Sequence, residues 1–563
     1  MVEREENDAV LELVPDDDRL LPSLKALTAM IFGVSLPLYR MRREPTHLND
    51  LKCHADVVTG AGIMILCEKY GVFLYITENF SYQLKKFLCF RIYDEARGKF
   101  TIFAIVGSDQ AVAETATFIW SLKLSNNSSS STLDVRLPKT NCLFDFDALQ
   151  PEQLARALDA NPERHYCFKF GTLSPEQSVV LATRAYPLNI ELSDVRFKDE
   201  GTAFVDALEK RQEPTFGSFA FDSDDQEVPI SPSNLQRLFN LEITFDALRI
   251  CQLDQECAHL PFAARANSIG YEFDISKLRP SDFDGMNIFA KHLYLEVSED
   301  ASFDSPDWGE CLALLLDRMA ECGHLETLSL SVRISNFGYS RFDSSDLVEA
   351  LIRVINANSK LEHLDLGDLR QLFAWYDWYD YSSDIFRAME SHPGLRTFIF
   401  DTIGPYAHDS GDDDSFHKEH CDDVYDSLEQ LLTRNRFITV YDDNGRCSNG
   451  GSIDKVYLRN DFFNGSEKLV TDSTPERPLL VATSLVESAS HNFPFSAWLL
   501  SHHPDVLCEL FHGTGPEEIV PALQETVLPT SMPPVESVDS KRRLSEPLPR
   551  ATKKAAQDSR MRS

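Results

Sequence analysis

Most signatures that would nominate a catalytic residue are absent. The chain has no GxxxxGK phosphate loop, no GxSxG elbow, no HExxH and no GxGxxG. No residue is therefore nominated as catalytic by motif, no cofactor is implied, and a non-enzyme is expected. CxxC is missing, and no His and Cys stand at zinc-finger spacing. The twelve cysteines are scattered, most of them within apolar runs. Buried reduced thiols fit that placement better than a disulfide framework. Long apolar runs are lacking too. Residues 27–39 are uncharged but contain Pro37, and they fall short of the roughly 18 residues that span a bilayer. The first residues carry neither the basic-then-apolar order of a secretory signal nor the basic character of a transit peptide. A soluble, intracellular protein with no membrane partner is the expectation.

Basic residues are in short supply. Lys and Arg number 54 against 89 Asp and Glu, for a formal net charge of −35. Such a body repels phosphate, so nucleic acid is not an expected partner. What the chain does have is apolar mass: 43% of its 563 residues are hydrophobic and 10% aromatic. That suffices for sizeable cores, and the length suits several domains of about 150 residues.

Composition shifts divide the chain. Residues 1–23 form an acidic arm with few large apolar groups, expected to be disordered. Residues 24–124 hold two candidate hairpins, 63–66 with 72–76 and 87–92 with 100–106. A helix then follows Ser108, a possible cap, with Ala113, Ala116, Thr117 and Trp120 on one face. A small β-rich domain covered by a helix is expected. Residues 125–149 open on a Ser/Asn-rich run and read as a linker.

From 150 to 445 the chain repeats one plan: a helix-like stretch, a short polar turn, an apolar strand. The clearest strands carry LxxLxL. Leu325, Leu328 and Leu330 form one set, Leu361, Leu364 and Leu366 the next, and Leu395, Phe398 and Phe400 the third. Weaker strands are expected at 188–192, 216–221, 269–273 and 293–297, and the turn at Asn161 resembles that at Asn358. Alternate strand residues share a face, so the last two positions of LxxLxL point into one core. The preceding helix offers Leu347, Ala350, Leu351 and Val354 at helical spacing. One unit cannot bury both faces alone, whereas stacked units can, with their strands joined in a parallel sheet.

This pattern resembles the leucine-rich repeat family, in its long ribonuclease-inhibitor-like form. The resemblance implies an α/β solenoid of parallel strands and outer helices that binds protein through its strand side. One family feature is absent: the Asn or Cys usually found three residues after the last strand Leu is replaced by Arg333, Leu369 and Ile403. Residues 446–512 read as a helical C-terminal cap and 513–563 as a disordered basic tail.

Three segments stand out as candidate sites. Trp375, Tyr376, Asp377, Trp378, Tyr379, Asp380 and Tyr381 match neither a helix stripe nor strand alternation. Trp and Tyr are enriched at interface hot spots, and interleaved carboxylates favour a protein partner with a basic surface. Residues 408–423 gather His417, His420 and Cys421 with several aspartates, but they lack the order of a calcium loop and read as a solvated acidic insertion, not a metal site. In the tail, residues 541–563 hold eight basic residues against two acidic ones. Lys541-Arg542-Arg543 with Lys553-Lys554 resembles a split nuclear-import signal, and Ser545 after Arg542-Arg543 resembles a basophilic kinase site.

The expected function is that of a protein–protein adaptor or scaffold, cytoplasmic, or nuclear if the tail directs import. One alternative is a substrate receptor or regulatory subunit of a larger enzyme such as a ubiquitin ligase, linked through residues 24–124. Another is an enzyme with dispersed active-site residues, which would be marked by a polar pocket joining acids and histidines of different repeats.

Overall fold

The computed structural model describes residues 10–15, 37–52, 62–77, 88–94, 98–123, 131–136, 144–222, 228–299, 308–334, 345–367, 375–400, 415–442, 445, 447, 452–464, 477–489 and 493–513. They fall into two compact units, residues 1–460 and 461–563.

The first unit is built on one 17-stranded sheet. Its N-terminal part is mixed. β1 (Leu11–Leu13) pairs antiparallel with β2 (Leu38–Met41), and β2 pairs parallel with β3 (Ile63–Cys67). The two expected hairpins follow: β3 with β4 (Val72–Thr77), and β5 (Leu88–Asp94) with β6 (Lys99–Val106). Gly71 and Gly98 sit in their turns at φ +67° and +63°, a conformation that costs glycine nothing. β4 also pairs with β6, so the local order is β3, β4, β6, β5. Helix α1 (Asp109–Ser121) buries Ala113, Ala116, Thr117 and Trp120. Ser108 supplies the extended cap backbone without a side-chain cap bond.

β7 (Ser131–Arg136) pairs antiparallel with β5 and parallel with β8 (His165–Leu173). It falls in the stretch that composition reads as linker. Leu133 and Val135 explain the difference, because their spacing buries both against the core.

From β7 to β17 each strand pairs parallel with the next. The strands are β8, β9 (Leu188–Phe197), β10 (Thr215–Asp222), β11 (Thr244–Ile250), β12 (Ala266–Asp274), β13 (His292–Glu299), β14 (Thr327–Ile334), β15 (His363–Asp365), β16 (Thr397–Ile399) and β17 (Thr439–Tyr441). The connections carry helices α2 (Pro151–Ala160), α3 (Pro175–Ala182), α4 (Thr202–Glu209), α5 (Pro232–Phe239), α6 (Trp308–Cys322), α7 (Ser345–Ala357), α8 (Trp375–Met389) and α9 (Ser415–Arg434). Between β11 and β13 the connections use short 3₁₀ turns instead, at Leu260–Ala263, Ile275–Lys277 and Pro280–Phe283. The architecture is thus α/β, with a long, mostly parallel sheet and a solenoid-like succession of strand and helix.

Register makes the core continuous. Leu133, Tyr166, Ile190, Phe219, Leu248, Ile269, Leu293, Leu328, Leu364, Phe398 and Val440 are partners in turn across eleven strands. All are buried, and each LxxLxL leucine enters this ladder or lies beside it. From α7, Leu347, Ala350, Leu351 and Val354 are buried as well. These residues share one cluster, so no strand–helix pair has a private interior.

Polar side chains at the helix ends bind successive units together. Asn358, after α7, donates to Met319 O and accepts from Leu325 N. Asn435, after α9, donates to Met389 O and His392 O. Asn161, after α2, donates to Trp120 O and Leu122 O. His392, after α8, meets Asn358 O through Nε2. Each reaches back to the preceding unit's helix end or turn. These contacts fall at the helix C-termini, where free carbonyls need donors.

The second unit comprises the end of α10 (Ser452–Asn464), then α11 (Arg477–Ala489), α12 (Phe493–His502) and α13 (Pro504–Gly513). Phe462, Val481, Leu499 and Val506 form its core.

Candidate functional site

The buried ladder from Leu133 to Val440 lies on the helix side of the parallel strands, so the alternate residues form a second face. That face is also in register. Thr132, His165, Asn189, Ser218, Ala247, Ser268, His292, Thr327, His363, Thr397 and Thr439 make one row. Asp134, Cys167, Glu191, Ala220, Arg249, Gly270, Tyr294, Ser329, Asp365, Ile399 and Tyr441 make the next. Glu272 and Glu296 are direct partners in a third.

Small side chains at Ser218, Ala220, Ala247, Ser268 and Gly270 give the middle strands a low floor. Tyr294 rises beside it, 38% exposed, its hydroxyl pKa pushed up by partial burial. Acidic groups flank the floor: Glu191 toward one end, Glu272 and Glu296 beside Tyr294, and Asp365 farther along. Arg91 ion-pairs with Asp134 at 2.5 Å and stacks on Phe100. Arg249 is exposed above Gly270.

Toward the N-terminal ends of β13–β15 the face becomes hydrogen-bonded. His292 Nδ1 meets the Thr327 hydroxyl at 3.0 Å, and Glu326 bridges to Lys291 at 3.0 Å. The Lys291 contact holds the Glu326 carboxyl below its ordinary value. Ser329 donates to Asp365, which also accepts from Gly367 N. Burial pushes the His363 imidazole down, so it is neutral near pH 7. The thiol of Cys167 is pushed up by burial and is a weak nucleophile.

The segment 375–381 occupies the first turns of α8 rather than a break before it. α8 packs between α7 and α9. Tyr381 is half-buried against the main core, whereas the side chains of Trp375, Tyr376, Asp377, Trp378, Tyr379 and Asp380 lie outside the described residues. His417, His420 and Cys421 fall in the first turns of α9, and their side chains, like residues 408–414, lie outside the described set. Among the described residues no group of three His, Cys, Asp or Glu is placed to hold a metal ion. Ser545 and the whole of 541–563 also lie outside. β14 and β15 contribute Thr327, Ser329, His363 and Asp365 to the second face.

A hollow of about 500 Å³ lies elsewhere, on the helix side. Val179, Ala203 and Ala207 form its apolar part and Asp206, Lys210 and Glu213 its polar part. It contains no histidine, so it is not a pocket joining acids with histidines of different repeats. Among the described residues no helix is long and apolar enough to cross a membrane. No protein-family model matches this sequence, and a search of curated proteins finds none that matches it.

Proposed function

We propose that the chain is a protein-recognition scaffold, a divergent solenoid of leucine-rich, ribonuclease-inhibitor-like type, that grips a basic protein surface with its open strand face. It acts by binding and not by catalysis, in an intracellular setting. The observation that carries this reading is the register of the second face. Eleven parallel strands keep that face in register, and its middle strands carry a floor of small residues, a protruding Tyr294 and the acids Glu191, Glu272 and Glu296, with Asp365 farther along. Carboxylates on a broad face speed encounter with a basic partner and reject acidic ones, while an exposed aromatic supplies contact area. The aromatic–acidic start of α8 is proposed as a second contact, through Trp375, Tyr376, Asp377, Trp378, Tyr379, Asp380 and Tyr381.

The test is affinity capture by the intact chain beside Glu272→Lys/Glu296→Lys and Trp375→Ala/Trp378→Ala double variants, each checked for unchanged circular dichroism. The lysine pair is expected to lose the captured protein, and wild-type capture is expected to weaken steeply with salt. Equal recovery by all three chains at every salt concentration would remove both contacts from the proposal.

A further inference from the structure

Unit 461–563 contains a buried histidine that the recognition reading leaves unused. His503 lies between α12 and α13 and is wholly buried. Its Nδ1 faces the guanidinium of Arg477, at 3.3 Å from Nε and 3.2 Å from Nη2. Arg477 opens α11, is itself buried, and reaches Asp505 of α13 at 2.9 Å through Nη2. The ring of Phe462, from the end of α10, packs on the imidazole with centroids 5.0 Å apart. His503 Nε2 is buried with no hydrogen-bond partner among the described residues. Backbone bonds from His503 N to Leu499 O and from Leu507 N to His503 O tie the same residue into both flanking helices.

A guanidinium has only donors, so Nδ1 is an acceptor and carries no proton. The arrangement therefore needs a neutral imidazole, with its single proton on the unpartnered Nε2. We infer that this unit is an acid-sensitive clasp: protonation of His503 at Nδ1 breaks its bond to Arg477 and loosens α11 from α12 and α13. The proton comes from solvent. It occupies the lone pair that accepted the Arg477 N–H, and two cations are left in contact in an apolar site.

Among the described residues, the charged groups acting on His503 from each packed element are few. Arg477 on α11 and His502 on α12 oppose the imidazolium, Asp505 on α13 favours it, and α10 presents the Phe462 ring. Burial and the Arg477 charge outweigh Asp505, which is mostly exposed, and the imidazole is held below its ordinary value. The sign follows. A histidine whose folded value is depressed contributes stability that is full above the unfolded value near 6.5, and that stability is lost as the pH falls through it. Asp505 is itself held low and stays charged over that range.

The test is amide hydrogen exchange on the full chain from pH 7.5 to 5, corrected for intrinsic exchange rates. In the wild type, the opening population for amides in residues 477–507 should rise toward tenfold per pH unit below about 6.5, the slope for one proton. Amides of β12–β14 serve as the internal reference. His503→Gln keeps an acceptor for Arg477 without titrating near neutrality, so the rise in 477–507 should vanish. An equal rise in that variant, or wild-type protection unchanged to pH 5, overturns the clasp. If the variant unfolds locally, an NMR titration of the wild-type imidazole decides: a midpoint below 6.5 that tracks the loss of protection supports it, and an ordinary midpoint with protection intact overturns it.

Discussion

Asn358 accepts a hydrogen bond from the backbone of Leu325 at 2.8 Å, 33 residues earlier in the chain, and donates to Met319 O on the same turn. One wholly buried amide at the end of α7 thus reaches back to hold both the helix end and the strand entry of the preceding repeat. The repeats depend on such side chains because each turn buries backbone groups that neither its helix nor its strand can satisfy.

Asn358→Ala should therefore cost about 3 kcal/mol, since several buried partners lose their bonds at once. Asn267 is exposed, and Asn267→Ala should change stability by less than about 0.5 kcal/mol. Urea midpoints of the two variants, measured side by side, check the contrast.

Arg164 performs the same task between the N-terminal strands and the repeats. Its buried guanidinium donates to Trp120 O, Leu122 O and the Ser131 hydroxyl, at 2.6, 3.1 and 3.1 Å. Arg164→Met preserves much of the bulk but strips these acceptors. A loss of about 3 kcal/mol is expected, with hydrogen exchange rising in α1 and β7. Unchanged protection there would mean that water replaces the guanidinium.

Glycine is required at 217 but not at 270. Gly217 has φ +101° at a bulge where β10 shifts register against β11, and an added Cβ would stand 2.6 Å from Leu188 O. Gly270 is extended, and its Cβ would meet only the Arg249 side chain at 3.5 Å. Gly217→Ala should destabilise by at least about 2 kcal/mol, and Gly270→Ala by less than about 1 kcal/mol. Thermal unfolding of the pair separates the two positions.

His392 gives the solenoid its own pH dependence. Its Nδ1 accepts from Gly394 N and Leu395 N, so the proton sits on Nε2, which donates to Asn358 O. Burial pushes the imidazole down, and the fold holds it neutral. The stability this contributes is complete above the unfolded value near 6.5 and falls away as the pH drops through it. The urea midpoint should decline from pH 7.5 to 5.5, and His392→Gln should flatten part of that slope, leaving the share of His363.

Much of the core was legible because it repeats. Leu328, Leu364 and Phe398 recur at one place in each unit, and period-two alternation assigns them a common side. The failures share a cause. β7 hides beside a Ser/Asn-rich run, because composition is averaged while burial depends on two residues, Leu133 and Val135. Residues 375–381 carry no aliphatic stripe, yet they begin a helix, since α8 lies between α7 and α9 and the packing of neighbours outweighs local pattern. The kinship of Asn161 and Asn358 was visible, whereas the backbone groups they hold were not.

The open face divides in the same way. Alternation alone names Glu191, Glu272, Tyr294 and Asp365 as pointing away from the core. It does not say that Glu272 lies beside Glu296, or that Ser329 reaches Asp365. What the sequence by itself determined is the unit, a strand and a helix each with one apolar side, because those periodicities are local. Only the tertiary structure decided which residues of different units meet, because inter-strand register and helix-end contacts join groups some thirty residues apart.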